Sequence, residues 1–104
     1  MELTLKSFGI AHQVKLIRSS YRNNGATALF ARTLEGEPFA VFSVNLPESV
    51  LLRNDHFYFK IWAENQGLLE QLEAAGVVAR LPFKVTTGYV EAIPVKLLVE
   101  VAEL

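Results

Sequence analysis

The fold of this chain is decided by residues 26–46, which read ATALFARTLEGEPFAVFSVNL. Apolar and polar residues alternate from position 26 to about 34, which predicts a β-strand. Gly36 and Pro38 then indicate a turn. The alternation resumes at residue 40 and predicts a second strand. Its predicted apolar face consists of Ala40, Phe42, Val44 and Leu46, with Ser43 and Asn45 opposite.

The residues before this stretch add two strand predictions. Leu3 and Leu5 alternate with polar neighbours, and residues 13–22 form a second candidate strand. Residues 23–25 read Asn-Asn-Gly, and Asn-Gly predicts a tight hairpin turn because both turn residues tolerate positive φ. Residues 13–22 and the two strands of the opening stretch are therefore predicted to form a three-stranded antiparallel meander.

A single helix is predicted after the opening stretch, at residues 66–75. Its apolar stripe consists of Leu68, Leu69, Leu72 and Ala75. Asn65 has the side chain of a good N-cap, and Gly76 stands where a helix end needs positive φ. Glu70 and Glu73 lie near the negative end of the helix dipole. We therefore expect that end to be exposed, or its acidic side chains to pair with a basic group from elsewhere in the chain.

Further strands are predicted on both sides of this helix. Residues 56–62 alternate clearly, and residues 77–81 and the run from Tyr89 onward return to strand. Pro94 inside the last run predicts an edge strand or a bulge, because proline has no amide hydrogen for a sheet. The sequence thus predicts one α+β domain over residues 1–104, mainly antiparallel sheet with one packed helix.

Composition narrows the function classes. The chain has 104 residues, of which 51% are apolar or aromatic, and it has no cysteine. The apolar content is typical of a folded chain and not of a disordered one, and the absence of cysteine excludes a disulfide scaffold or a thiolate site. So much apolar surface in a short chain favours a homo-oligomeric or partner interface. Residues 1–34 carry five basic side chains against one acidic, and residues 35–104 carry five basic against ten acidic. This asymmetry of charge could steer a charged partner to one face of the protein. The alternative is an ordinary surface of mixed charges.

Residues that could carry catalysis are few. His12 and His56 lack metal-ligand spacing, and no serine stands in a nucleophile elbow. Asp55 and His56 are neighbours whose side chains we expect on opposite faces of a strand. The sequence contains no phosphate-binding loop or dinucleotide fingerprint. It therefore predicts no enzyme, no cofactor and no metal site.

The first candidate binding surface is a protein-interaction face around the start of the helix. It consists of Tyr58, Trp62, Glu64, Asn65 and Gly67. Aromatic side chains are enriched in the cores of protein interfaces because each buries a large area. The alternative is that Tyr58 and Trp62 lie under the helix as core residues.

The second candidate is a nucleic-acid face on the predicted hairpin. It consists of Lys15, Arg18, Tyr21, Arg22 and Arg32. Basic side chains could meet phosphates there, and Tyr21 could stack on a base. The alternative is a solvated sheet face, and the sequence pI of about 6.1 is far below that of a basic nucleic-acid-binding domain.

Several short motifs follow one another in a characteristic order. They are Tyr21 with Asn23-Asn24-Gly25, Gly36 and Pro38, Val44-Asn45-Leu46-Pro47-Glu48, Glu64-Asn65-Gln66-Gly67-Leu68-Leu69, Ala75-Gly76-Val77, Thr87-Gly88-Tyr89 and Ile93-Pro94-Val95. This order resembles the domain of unknown function 4313 family, small proteins of bacteria, phages and mobile elements, over roughly residues 14–97. The resemblance implies four strands, a helix and a strand, and a bacterial or mobile-element setting. It brings no catalytic residues, and residues 79–83 depart from the family pattern.

The residues at positions 64–67 also have a structural interpretation as the start of the helix. Glu64 favours the positive helix end, Asn65 caps it, and Gly67 permits the close approach of a neighbouring chain.

These observations predict a non-enzymatic protein-interaction module of a bacterial mobile element or phage, such as an inhibitor of a host defence or regulatory protein. The alternative is a nucleic-acid-binding protein that uses the basic N-terminal hairpin. No charged leader with a long apolar run is evident, and no apolar run approaches the roughly 20 residues of a membrane helix. We therefore expect a cytoplasmic protein without membrane contact, whose partner is another protein or a second copy of the chain.

Overall fold

The secondary structure is seen in a computed structural model that describes residues 1–22, 25–46, 55–82, 85–87 and 90–103. The strands are β1 (Glu2–Ser7), β2 (Ile10–Ser20), β3 (Thr27–Thr33), β4 (Pro38–Val41), β5 (Ser43–Val44), β6 (His56–Lys60), β7 (Val78–Arg80), β8 (Val85–Thr87) and β9 (Val90–Leu97). A 3₁₀-helix (Ala63–Asn65) precedes the α-helix α1 (Leu68–Ala74). Over these residues the protein is thus mainly antiparallel sheet with one short α-helix, compatible with the predicted α+β class. The predicted turn residues Asn23 and Asn24 lie outside the described residues.

The first sheet has the order β1-β2-β3-β4, with every neighbouring pair antiparallel. It contains one strand more than the predicted meander, because β1 pairs with β2 along its whole length. The alternation of the sequence sets its faces: Leu5, Val14 and Leu29 point to the core, and their neighbours point to the opposite side. We call that opposite side the outer face.

The strand predicted over residues 40–46 is divided between two sheets. It bends at the fully buried Phe42, whose amide donates to Leu29 O in β3 and whose carbonyl accepts from Lys60 N in β6. Beyond the bend, β5 pairs with β6 in the second sheet. Ser43, predicted opposite the apolar face, is buried as a consequence of this bend.

The second sheet has the order β5-β6-β9-β7, and β8 also pairs with β9. Pro94 therefore lies in a central strand, so the edge-strand alternative is wrong. The carbonyl of Pro94 accepts from Leu81 N, which follows β7. In a strand the nitrogen and the carbonyl of one residue point to the same side, so the proline nitrogen also faces this side. Pairing with β7 ends at Val95 and pairing with β8 begins at Ala92, so the missing amide hydrogen falls between two partner strands.

The core lies between the two sheets. The chain joins them on one side through β4 and β5, and α1 contacts the edge strands β1 and β7 on the other. The core side chains contributed by the sheets and by α1 include Leu5, Leu16, Phe42, Phe59, Leu68, Leu72, Val78 and Val95. The C-terminal segment returns to the first sheet, where Ala102 O accepts from Arg18 N. None of the helices in the described ranges has the length and apolarity needed to cross a membrane.

The helix is shorter than the predicted 66–75. It begins at Leu68 because Gly67, its N-cap, adopts a left-handed conformation with φ 78°. A Cβ at Gly67 would meet no atom within 4 Å, so conformation, and not the expected close approach of a neighbouring chain, is the role of this glycine. Asn65 makes no cap bond, and the N-cap prediction is wrong.

The C-terminal end of α1 follows the prediction. Gly76 has φ 75°, its amide donates to Glu73 O, and Val77 N donates to Leu72 O, which is the Schellman pattern. The basic group expected near the acidic residues is Arg80. Its Nε lies 3.1 Å from both carboxylate oxygens of Glu73, and its Nη2 lies 3.4 Å from Glu70 Oε1. The hydrogen bond to Glu73 is the main cause that raises the pKa of Arg80.

Candidate functional site

Two of the five residues of the predicted protein-interaction face are buried. Tyr58 is 4% exposed and Asn65 is 1% exposed, so neither can form an open binding surface as the chain stands. Tyr58 lies on the side of β6 opposite Phe57 and Phe59, which shows that this strand is buried on both faces. Trp62 is half-buried, with Lys60 Nζ 5.8 Å from its ring centroid. Gly67 is exposed, and Glu64 contributes its backbone to the 3₁₀-helix.

Asn65 has a structural role that the sequence did not reveal. Its Nδ2 donates to Val41 O at 2.7 Å and to Lys60 O at 2.9 Å, so it ties the end of β4 to the end of β6. Its Oδ1 is buried and has no hydrogen-bond partner in the described part of the chain. The buried amide therefore holds together the junction of the two sheets.

The predicted nucleic-acid face is divided between the two sides of the first sheet. Lys15 and Arg32 are directly opposite each other in the register and lie on the outer face. Arg18 pairs with the fully buried Leu29, which places it on the core side, and its Nη2 donates to Thr27 Oγ1 at 3.3 Å. These three residues do not form one surface.

Tyr21 and Arg22 lie where β2 ends. The Tyr21 hydroxyl is 2.9 Å from the Oγ of the buried Ser43. This hydrogen bond keeps the ring close to the core, where it is half-buried and does not present an open stacking platform. Arg22 is exposed beyond the end of the strand.

The described histidines do not form a metal site. His56 Nε2 lies 3.6 Å from Asp55 Oδ1, so the expectation that these side chains point to opposite faces is wrong. The reason is that Asp55 precedes β6 in a turn, outside the alternation of the strand. Lys96 Nζ lies 3.7 Å from the other oxygen of Asp55. Within the described ranges, no three His, Asp or Glu side chains gather as ligands.

Among the residues that the structure describes, the most exposed large apolar side chain lies at the tip of the β1–β2 hairpin. Phe8 is 86% exposed and Ile10 is 61% exposed. They flank Gly9, and the pair Ser7–Ile10 closes a two-residue turn with φ 51° at Phe8 and φ 79° at Gly9. Two positive φ angles define the turn that normally carries Asn-Gly. A phenylalanine in this conformation is strained by roughly 1–2 kcal/mol.

This tip also projects from the sheet. Pairing of β2 with β3 begins at Val14, so residues 10–13 extend about 13 Å beyond the last pair. Lys6, directly before the tip, is held by α1, because Gln71 accepts from its amide at 2.7 Å and donates to its carbonyl at 2.8 Å. We call residues 7–10 the hairpin tip. A two-residue Phe-Gly step between two alternating runs was the sequence signal for it.

Comparison of this chain with protein-family models, with curated proteins and with solved structures gives no match. The resemblance to the domain of unknown function 4313 family therefore stays a prediction, and the geometry of the described residues is what bears on function.

Proposed function

We propose that this chain is a non-enzymatic protein-interaction module that anchors a partner protein through Phe8. The observation that carries the proposal is the combination of exposure and strain at this residue. An exposed aromatic ring on a strained backbone lowers the stability of the unbound protein. Such strained residues are retained where they serve a function, here contact with a binding partner. Aromatic anchors of this kind supply a large share of binding energy in protein interfaces.

The wider setting of the module is proposed on the sequence alone. It is a cytoplasmic protein of a bacterial mobile element or phage, and its partner is a host defence or regulatory protein that it inhibits. A second copy of the chain is the alternative partner, in line with the apolar content. We place the protein-interaction face at the hairpin tip and not around Tyr58 and Asn65, because those two side chains are buried.

The test is affinity capture from bacterial lysate with three immobilised forms of the chain. Phe8→Asn removes the ring and suits the turn, whereas Leu34→Asn makes the same change at an exposed leucine of the β3–β4 turn. We expect the wild type and Leu34→Asn to retain the same partner, and Phe8→Asn to bind it at least about thirty-fold more weakly. Equal capture by all three forms would refute the anchor.

Light scattering on the purified chain separates the two kinds of partner. If the partner is a second copy, the wild type and Leu34→Asn form dimers that Phe8→Asn does not form. If it is a host protein, all three forms are monomers of the 11.6 kDa chain.

A further inference from the structure

The outer face of the first sheet carries a basic surface that the hairpin tip does not use. Lys15 and Arg32 are directly opposite each other in the register, and Lys6 lies on the same face of β1. Gln13 and Thr4 are opposite each other between them, and both are exposed. Among the described residues of these four strands, Glu2 is the one acidic side chain on this face.

An apolar row lies beside these basic side chains. Ile17, Phe30 and Val41 are consecutive across β2, β3 and β4 on the outer face. The guanidinium carbon of Arg32 is 5.6 Å from the centroid of the Phe30 ring. A groove of about 300 Å³ lies between β3 and β4, and its lining residues are Phe30, Ala31, Arg32, Pro38, Phe39, Ala40 and Val41. It is large enough to hold one planar ring against Phe30.

We propose that this outer face binds single-stranded nucleic acid. The phosphates contact Lys6, Lys15 and Arg32, and a base lies in the groove against Phe30. A positive surface combined with an aromatic ring is the arrangement by which sheet proteins bind single strands without a fixed sequence. In the part of the chain that the structure describes, the outer face is formed by strands and no helix projects from it to enter the major groove of a duplex, so this face favours a single strand whose bases are free.

This site differs from the one predicted from sequence. Lys15 and Arg32 belong to both, whereas Arg18 and Tyr21 point toward the core side and Arg22 lies beyond the end of β2. Phe30 replaces Tyr21 as the stacking residue. The proposal is also independent of the hairpin tip, because Phe8 is not part of this face.

The experiment measures the binding of a fluorescent oligothymidylate to the full chain by anisotropy over a series of salt concentrations. Three phosphate contacts predict a slope of about −2 in the logarithm of affinity against the logarithm of salt concentration. Lys15→Ala and Arg32→Ala each reduce the steepness by about 0.7. Phe30→Leu keeps an apolar side chain but removes the ring, and it weakens binding about five-fold or more with the slope unchanged.

Arg22→Ala is the matched control, since it removes the same charge from an exposed position outside the face. It should leave both affinity and slope close to the wild type. The proposal is overturned if the oligonucleotide does not bind at low salt, or if Arg22→Ala weakens binding as much as Arg32→Ala. It is also overturned if heparin and duplex DNA bind as tightly as the single strand. Loss of an acidic protein partner in the Lys15 and Arg32 variants, without oligonucleotide binding, would assign the face to protein.

Discussion

Ser43 supplies a hydrogen-bond acceptor at the point where the chain leaves the first sheet. Its Oγ accepts from Leu29 N at 3.0 Å and lies 2.9 Å from the Tyr21 hydroxyl. Because the strand bends at Phe42, no main-chain carbonyl of that strand accepts from Leu29 N in β3. The Ser43 hydroxyl is the acceptor instead. The alternation of residues 40–46 could not predict this, because Ser43 has the polarity of a solvent-facing position.

The first prediction concerns this serine. Ser43→Ala leaves the buried amide of Leu29 without an acceptor, and we expect the free energy of unfolding to fall by about 1–3 kcal/mol. Equilibrium urea denaturation measures the change. Ser20→Ala, at an exposed position of β2, is the control and should cost less than about 0.5 kcal/mol. Equal effects of the two substitutions would show that the Ser43 hydroxyl carries no special role.

Asn65 leads to a second prediction at the residue scale. Asn65→Ala removes the donor from Val41 O and Lys60 O and should destabilise the fold by about 1–3 kcal/mol. Asn65→Asp should destabilise it further at neutral pH, since it places a buried carboxylate against two carbonyl oxygens. Thermal unfolding of both variants checks the order. An aspartate variant as stable as the alanine variant would mean that the site admits water.

At the scale of elements, the two ends of α1 differ in how well the sequence predicts them. The end at Gly76 was predicted because the required glycine, the buried Val77 and the acidic side chains all act locally. The start of α1 was not predicted, because an asparagine can cap a helix or, when buried, bond to neighbouring strands. Which of these Asn65 does depends on where β4 and β6 end. The position of Pro94 was missed for the same reason: the partner strands on each side of β9 decide it.

Each edge strand of the first sheet is bonded at one residue by a side-chain amide from the segment 65–71. Asn65 donates to β4, and Gln71 bonds the amide and the carbonyl of Lys6 in β1 as a neighbouring strand would. Unpaired strand edges invite pairing between molecules, so these amides protect the sheet.

The third prediction follows from this protection. Gln71→Ala frees the outward groups of Lys6, and we expect weak self-association that rises with protein concentration. Sedimentation velocity over a concentration series detects it. Gln66→Ala, at an exposed glutamine before α1, should sediment as the wild type does. If both variants sediment alike, the edge of β1 is protected by something other than Gln71.

At the scale of the whole molecule, the sequence predicted the composition of the fold better than its arrangement. The antiparallel strands and the helix α1 follow from alternation and from the leucine stripe, which are local patterns. The two-sheet arrangement depends on the bend at Phe42 and on the stacking of its ring with Phe59 at 5.7 Å, which join residues far apart in the chain. Phe8 could not be recognised as the candidate site from the sequence, because the exposure of a side chain is known only in the folded chain.

The proposed binding role of Phe8 requires that its left-handed backbone conformation strains the free protein. Equilibrium urea unfolding of Phe8→Asn tests it, with Phe8→Ala as a control that removes the ring but keeps a left-handed alanine. We expect Phe8→Asn to be about 1 kcal/mol more stable than the wild type, and Phe8→Ala to gain little stability. A Phe8→Asn variant that is less stable than the wild type would contradict it, since the ring would then stabilise the fold itself.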